Sequence, residues 1–201
     1  MIASRRNFLL GSTAAALAAC TTTSKPTIPT TPTASATGFP LITDTAARLD
    51  ATKARALYAA GVRTVFRYYS QIPPSLVGKD LQPEEAKIII GEGLSIGSVF
   101  QHYNNCFRTF ENNWGREDAE QALRQAEAAG QPEGSVIYFG VDADLPYQQL
   151  RDPILKYFDD VKRAFEGSGI AVGIYSNGCI CNAVRSAGTA SYFWQIGRAH
   201  V

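Results

Sequence analysis

Short apolar segments alternate with helical segments along most of this chain. Strands are predicted at residues 41–44, 63–69, 95–102, 135–142, 171–176 and 191–195, and helices at 51–60, 83–92, 116–129, 147–167 and 177–187. This alternation indicates an α/β fold with a parallel sheet and right-handed crossovers. No glycine-rich phosphate loop follows any strand, which argues against a doubly wound dinucleotide-binding sheet. We therefore predict a TIM (β/α)8-type barrel that is truncated at its C-terminus after about six βα units.

Two acids close the fourth predicted strand. The apolar run S-V-I-Y-F-G-V leads into Asp142 and Asp144, which are two residues apart. In a strand, such residues point to the same face, and polar groups at the C-terminal ends of barrel strands are where catalytic groups lie. The alternative is that one acid caps the following helix, which would explain one acid more easily than both. The pair is therefore the first candidate for a catalytic site.

The N-terminus carries export features. Residues 1–20 contain Arg5 and Arg6 followed by a weakly hydrophobic stretch, a pattern that is typical of a twin-arginine signal. The segment Leu-Ala-Ala-Cys that ends at Cys20 predicts a lipidated cysteine, whereas cleavage after Ala18 is the alternative. Residues 21–37 are rich in Thr, Ser and Pro and predict a flexible linker. We expect a protein exported by the twin-arginine route and either membrane-anchored on the outer face of the cytoplasmic membrane or periplasmic.

The remaining chain, residues 38–195, is long enough for one sizeable core. The whole chain has a formal net charge of +1, and its basic residues form no stripe, so we expect no nucleic-acid partner. Residues 196–201 can be back-translated into a widely used sequencing adapter. We therefore suspect that these six residues are an artefact and that the natural sequence differs beyond Gln195.

Four segments of the domain resemble a known family. They are the runs A-G-V-R-T-V-F-R-Y-Y from Ala60, L-Q-P-E-E-A from Leu81, I-Y-F-G-V-D from Ile137 and V-G-I-Y-S from Val172. They resemble the bacterial glycoside-hydrolase-like domain of unknown function 1906, which is similar to the glycoside hydrolase family 25 lysozymes. The resemblance implies a TIM-barrel protein of the cell envelope that is directed at peptidoglycan or another glycan.

The lysozyme pattern maps onto three acids. In that family the fourth strand ends in Asp-x-Glu, with the glutamate as proton donor, and a further aspartate ends the first strand. Asp142 matches the aspartate, Asp44 matches the first-strand acid, and Asp144 stands where the glutamate would be. Because aspartate is one methylene shorter, a donor at position 144 would fall short of a glycosidic oxygen, and such misplacement can cost about a hundredfold in rate.

Aromatic, amide and basic residues at the predicted strand ends are candidates for substrate binding. They could stack on sugar rings or hydrogen-bond hydroxyls, and core or rim packing is the alternative reading for many of them. Arg67 could instead neutralise one of the acids across the barrel. No His, Cys and acid spacing matches a metal site, and we expect no cofactor. These candidates are Arg67, Tyr69, Gln101, His102, Tyr175, Trp194 and Gln195.

Three cysteines lie inside the domain. Cys106 follows the third strand, and Cys179 and Cys181 follow the fifth, so all three are expected near the top of the barrel. In an oxidising compartment a disulfide from Cys106 to either of the others is plausible, and three buried thiols are the alternative.

Two functions from different classes remain open on the sequence. The first is a peptidoglycan glycosidase with Asp142 and Asp144 at its centre. The second is a catalytically inactive glycan-binding or envelope-maintenance lipoprotein that keeps the cleft.

Overall fold

The computed structural model describes residues 39–112, 114–143 and 146–197. The expected signal (1–20), the linker (21–37) and Asp144 lie outside these ranges, as do residues 198–201 of the suspected artefact. The predictions made for them remain predictions.

Six strands form one parallel sheet whose spatial order follows the chain. This confirms the predicted TIM-barrel-type α/β fold of six βα units. The strands are β1 (Leu41–Asp44), β2 (Val62–Tyr69), β3 (Ser95–Phe100), β4 (Val136–Gly140), β5 (Ala171–Ser176) and β6 (Tyr192–Gln195).

The five predicted helices are present, and their ends follow local chemistry. Asp50 and Asn177 accept hydrogen bonds from backbone N–H groups of the first turns of their helices, and Gly130 and Gly188 end two helices in the left-handed conformation. One further helix, α3, has four residues and is too short to show a helical period. The helices are α1 (Ala51–Ala59), α2 (Pro83–Gly91), α3 (Arg108–Glu111), α4 (Gly115–Ala129), α5 (Tyr147–Phe165) and α6 (Gly178–Ala187).

The main core lies between the outer face of the sheet and the helices. Successive strand residues point to opposite faces, so alternate positions of each strand meet the helix layer. On β4, Ile137 and Phe139 are fully buried there, and α5 contributes Phe158 and Val161 to the same core. This two-sided burial explains why β2 and β3 have long buried runs rather than a clean alternation of polar and apolar residues.

On the inner, concave face of the sheet, large side chains lie across glycines of the neighbouring strand. A Cβ added at Gly97 would lie 2.4 Å from Phe66, and one at Gly173 would lie 2.7 Å from Tyr138. The Gln101 side chain lies across Gly140 in the same way, and a Cβ added at Gly140 would lie 3.1 Å from it. Glycine is needed at these places because only a residue without a side chain leaves room for the neighbour.

Trp194 of β6 fills the concave side. Its ring centroid lies 4.4 Å from that of Phe66 on β2, 4.9 Å from Tyr175 on β5 and 6.1 Å from Tyr138 on β4. A contact between the second and sixth strands requires the sheet to curl, as the strands of a barrel do. The interior is therefore packed, as in other barrels of this type.

A buried ion pair joins β2 to α2 on the outer face. Arg67 Nε lies 2.7 Å from Glu85 Oε1, and the two side chains are 0% and 2% exposed. Arg67 also donates to the carbonyl oxygens of Thr45 at 2.6 Å and Gly78 at 3.2 Å, and Glu85 Oε1 accepts from the Leu49 N–H at 2.8 Å. The pair thus holds the loops that follow β1 and β2 against each other.

A second buried acid, Asp118, joins α4 to α5. Its oxygens accept hydrogen bonds from Gln71 Nε2 at 2.6 Å and from the Tyr157 hydroxyl at 2.9 Å. Burial raises the pKa of Asp118 to about 6, although both hydrogen bonds act in the opposite direction. The neutral acid is therefore the form that the fold favours.

We expect Gly97→Ala to destabilise the fold because the new methyl group would overlap the ring of Phe66. The expected loss in free energy of unfolding is about 1–3 kcal/mol or more, measured by urea denaturation. The control is Gly91→Ala, where no atom lies within 4 Å of the new Cβ and the helical backbone favours alanine. Equal stability of the two variants would contradict the packing described for the concave face.

We also expect Asp118 to make stability depend on pH. Its folded pKa of about 6 lies above the ordinary value of 3.8, so its contribution is fully present below about pH 4 and is lost as the pH rises through 6. Between pH 4 and pH 7 the wild type should therefore lose this contribution to its free energy of unfolding, whereas Asp118→Asn should not. The difference between the two proteins should shift in favour of Asp118→Asn by about 1–3 kcal/mol. In the control Asp152→Asn, which alters an exposed carboxylate, the difference from wild type should stay flat. A pH-independent difference for Asp118→Asn would refute this role.

Candidate functional site

The candidate site lies at the edge of the sheet formed by the C-terminal ends of the strands. Asp44 is the last residue of β1, and Asp142 follows β4 by two residues. Asp142 lies beyond the last residue of β4, at the C-terminal edge of the sheet, next to Gly140 and Gln101 in one recess. Asp44 is exposed and Asp142 is half-buried. Asp144, the third predicted acid, lies outside the described residues.

Asp44 is held by a tyrosine that the sequence analysis did not select. The Tyr68 hydroxyl donates to Asp44 Oδ2 at 2.9 Å. Burial raises the pKa of Tyr68, and the hydrogen bond to Asp44 adds to this shift, so the phenol remains a donor at neutral pH. Asp44 and Tyr68 thus form a carboxylate and phenol pair at the rim of the concave face.

Gln101 lies between the ends of β3 and β4. Its side chain crosses Gly140, and its Nε2 donates to the Tyr103 carbonyl at 3.4 Å and to Asn104 Oδ1 at 3.3 Å. These contacts fix an amide group, 7% exposed, next to the strand that carries Asp142. The prediction placed this residue at the site, and the structure brings it to the same edge as Asp142.

Two predicted aromatic residues also belong to the concave face. Tyr175 and Trp194 pair with each other in the register of β5 and β6, and both are half-buried. Tyr175 is close enough to contribute to the raised pKa of Tyr68. Partly exposed rings of the concave face therefore lie at the same end of the sheet as the two acids.

Three predicted site residues lie elsewhere. Arg67 was expected to contact substrate or neutralise an aspartate, but it points to the outer face and pairs with Glu85. Tyr69 is also on the outer face, fully buried, and its hydroxyl donates to Gln131 Oε1 at 3.0 Å. Gln195 lies against the start of α6, where its Nε2 is 3.0 Å from the position of a Cβ added at Gly178. The physical reason is strand parity, because a shift of one residue exchanges the two faces.

His102 is placed near the edge but is buried. Its ring packs edge-on against Tyr103, with centroids 4.1 Å apart, and its Nδ1 has no hydrogen-bond partner among the described residues. Burial lowers the pKa of His102, and the nearby Lys79 ammonium lowers it further. The imidazole is therefore neutral at pH 7. Its buried ring packs at the edge of the sheet and is not exposed to a ligand in solvent.

A small polar recess lies behind Asp142, between the ends of β3 and β4. Its volume is about 10 Å³, which is room for about one water molecule. The side chains of Gln101, His102, Asp118, Asp142 and Tyr157 line it together with apolar neighbours. Asp142 therefore borders polar groups of the helix layer, Asp118 and Tyr157, as well as Gln101 at the end of β3.

The cysteines within the described residues are free thiols. Cys106 is half-buried, Cys179 is exposed and Cys181 is buried, with its Sγ 3.6 Å from the Ser176 carbonyl oxygen. The predicted disulfide from Cys106 to Cys179 or Cys181 is therefore wrong for this structure. Packing of Cys181 against β5 in the core keeps that thiol away from the loop that carries Cys106.

Within the same ranges, no cluster of three His, Cys, Asp or Glu side chains has the geometry of a metal site. No helix in the described part of the chain is long and apolar enough to cross a membrane. The groups that the edge does offer are two carboxylates, a phenol donor, an amide and aromatic faces. Such groups can exchange protons and can bind hydroxyl-rich ligands.

The chain is similar to proteins from two bacterial lineages. It is 31% identical to the Bacillus subtilis protein "Uncharacterized protein FadG" over 150 residues, which are 73% of this chain and 26% of that protein. It is 29% identical to the Mycobacterium tuberculosis protein "Putative peptidoglycan hydrolase Rv2525c" over 144 residues, covering 68% of this chain and 58% of the relative. The chain thus spans about a quarter of the first relative and a little over half of the second.

The fold matches a crystal structure of the same mycobacterial protein, described as the Tat-secreted protein Rv2525c in complex with HEPES. The TM-score is 0.63 at 25% sequence identity, and the match covers 78% of this chain and 81% of the other. A family model matches residues 55–198, from α1 to beyond β6. On this match, the chain belongs to the family of the Rv2525c-like, glycoside hydrolase-like domain.

Proposed function

We propose that this protein is an exported cell-envelope glycoside hydrolase that acts on the glycosidic bonds of peptidoglycan. The observation that carries the proposal is that Asp44, held by Tyr68, and Asp142 both stand at the C-terminal edge of the sheet in a glycoside hydrolase-like domain. A mycobacterial relative with peptidoglycan hydrolase in its name supports the choice of substrate.

Glycoside cleavage requires one carboxylic acid that protonates the leaving oxygen and one carboxylate that stabilises or attacks the sugar carbon. Asp44 accepts a hydrogen bond from a phenol that stays protonated, so it suits the role of the negatively charged partner. Asp142 and Asp144 supply a further carboxylate and the carboxylic acid. In this assignment Asp144 is the proton donor, at a rate about a hundredfold below that of a glutamate because its side chain is one methylene shorter. Asp142 shares the stabilising role with Asp44.

The concave face offers the means to hold a sugar chain. Partly exposed rings such as Tyr175 and Trp194 can stack on pyranose faces, and the fixed amide of Gln101 can hydrogen-bond hydroxyl groups. Because these groups lie at the same end of the sheet as the acids, they could bind a sugar polymer that runs along the strand ends.

We expect Asp142→Asn to abolish the release of reducing ends from purified peptidoglycan by the full-length protein. The neutral amide of asparagine cannot supply the negative charge that stabilises the oxocarbenium-like transition state. The matched control is Asp152→Asn, which removes an exposed carboxylate on α5 and should leave the release unchanged. If the wild type releases no reducing ends but sediments with peptidoglycan, the protein is a glycan-binding lipoprotein without turnover.

A graded loss is expected for Tyr68→Phe, which removes only the hydroxyl that binds Asp44. A hydrogen bond to a charged group contributes about 1.5–3 kcal/mol, so the rate should fall about 10- to 100-fold. The ring remains in place, so the variant should still fold, and the two rates are compared well below both melting temperatures. A rate equal to that of the wild type would remove Tyr68 from the proposed site.

The proposed location follows from the N-terminal features, namely Arg5, Arg6 and Cys20. A twin-arginine signal with a lipidated Cys20 would hold the domain outside the cytoplasmic membrane, where peptidoglycan is found. Labelling with a radioactive fatty acid should mark the wild type and not Cys20→Ala, and both proteins should be exported. Labelling of Cys20→Ala, or retention of the wild type in the cytoplasm, would contradict this location.

A further inference from the structure

The loop that connects β2 to α2 presents apolar side chains to solvent beside the candidate site. We call residues 70–80 the rim loop. Ile72 is 71% exposed, Leu76 is 58% exposed and Val77 is fully exposed. Residues 70–78 carry no charge. A group of exposed aliphatic side chains next to a site commonly marks a binding surface.

The exposure of these side chains is not due to a loosely held loop. Lys79 Nζ donates to the His102 carbonyl at 2.9 Å, and the Ser75 hydroxyl donates to the same oxygen. The Ser70 hydroxyl donates to Asp80, and Gln71 is held by Asp118. Both arms of the rim loop are therefore fixed by buried and partly buried hydrogen bonds, and its apolar residues are held outward.

The rim loop is also attached to the carboxylate and phenol pair. Residue Asp80 forms an isolated parallel bridge with Tyr68, and the Leu81 N–H donates to the Tyr68 carbonyl at 2.8 Å. The Lys79 ammonium lies 5.2 Å from the centre of the Tyr68 ring. The rim loop is thus joined to the residue whose hydroxyl binds Asp44.

A cation stands beside the apolar residues. Arg48, whose side chain is 57% exposed, lies against the base of the rim loop, with its Cβ 3.8 Å from the position of a Cβ added at Gly78. Its Nε lies 4.0 Å from Glu85 Oε2, but Glu85 is also the partner of Arg67, so this group of two guanidiniums and one carboxylate keeps a net positive charge. Aliphatic groups beside a guanidinium fit a short peptide with alkyl side chains and carboxylates. A bilayer fits less well, since a membrane here would cover the edge of the sheet at which Asp44 and Asp142 lie.

We propose that the rim loop binds the peptide that is attached to the glycan strand, so that the preferred substrate is a peptide-bearing glycan rather than a bare one. This inference rests on the proposed function, because it assigns the substrate class of the same site. The peptides of peptidoglycan have alkyl side chains and free carboxylates, which is the chemistry that Ile72, Leu76, Val77 and Arg48 would recognise.

The experiment compares binding to two forms of one polymer. Full-length protein with Asp142→Asn, which prevents turnover, is sedimented with intact peptidoglycan and with the same glycan after an amidase has removed its peptides. Replacing Ile72, Leu76 and Val77 together by serine should weaken binding to the intact polymer about 10-fold, as expected for the loss of partly buried aliphatic groups. Binding to the stripped glycan should be unchanged. Ile88→Ser, which alters an exposed aliphatic residue of α2, should change neither.

Each other outcome overturns the inference in its own way. Equal binding of the triple variant and its parent to intact peptidoglycan means that the rim loop does not contact substrate. An equal loss on intact and stripped glycan means that it contacts sugar. Binding to phosphatidylglycerol vesicles that only the triple variant loses, with peptidoglycan binding unchanged, means that it contacts the membrane. If the parent binds neither glycan, the proposed function fails as well, which separates the two failures.

Discussion

The ion pair between Arg67 and Glu85 is the interaction on which the upper edge of this sheet depends. One guanidinium, fully buried, binds both carboxylate oxygens and two backbone carbonyls, and the carboxylate also accepts a backbone N–H. Removing either partner would leave a buried charge without compensation, which is far more costly than the pair itself is favourable. The loops after β1 and β2 are thereby set in place. The first of these loops begins directly after Asp44, and the second is the rim loop. Arg67, on the outer face of β2, thus helps to position the loops at the edge where the candidate site lies.

The concave face depends on a different constraint, namely the absence of side chains at Gly97, Gly140 and Gly173. These glycines let Phe66, Gln101 and Tyr138 lie flat across neighbouring strands, and Trp194 then packs against rings from three strands. The floor of the concave side is filled, and polar groups are left at the strand ends. This division between a packed interior and a polar rim is the arrangement that lets a barrel support a site without losing its core.

Much of the architecture could be predicted from the sequence because hydrophobic periodicity, helix caps and terminal glycines are local signals. All six strands and the five longer helices lie where the pattern indicated, with ends that differ by a few residues. The acids Asp44 and Asp142 were identified because they terminate strands. The choice between Tyr68 and Tyr69 could not be made in the same way, since β2 is buried on both faces and its sequence shows no alternation that distinguishes them. Arg67 was misplaced for the same reason.

The sequence by itself determined the class of fold, the order of the strands and the edge at which the acids emerge, because each follows from short-range patterning and from the handedness of parallel crossovers. Only the tertiary structure decided which side chains share that edge. The phenol that holds Asp44, the helix that neutralises Arg67, the free state of Cys106 and the buried anchors of the rim loop all depend on strand parity and on contacts between residues distant in the chain. Such contacts are set by the curl and packing of the sheet, which no local stretch of sequence contains.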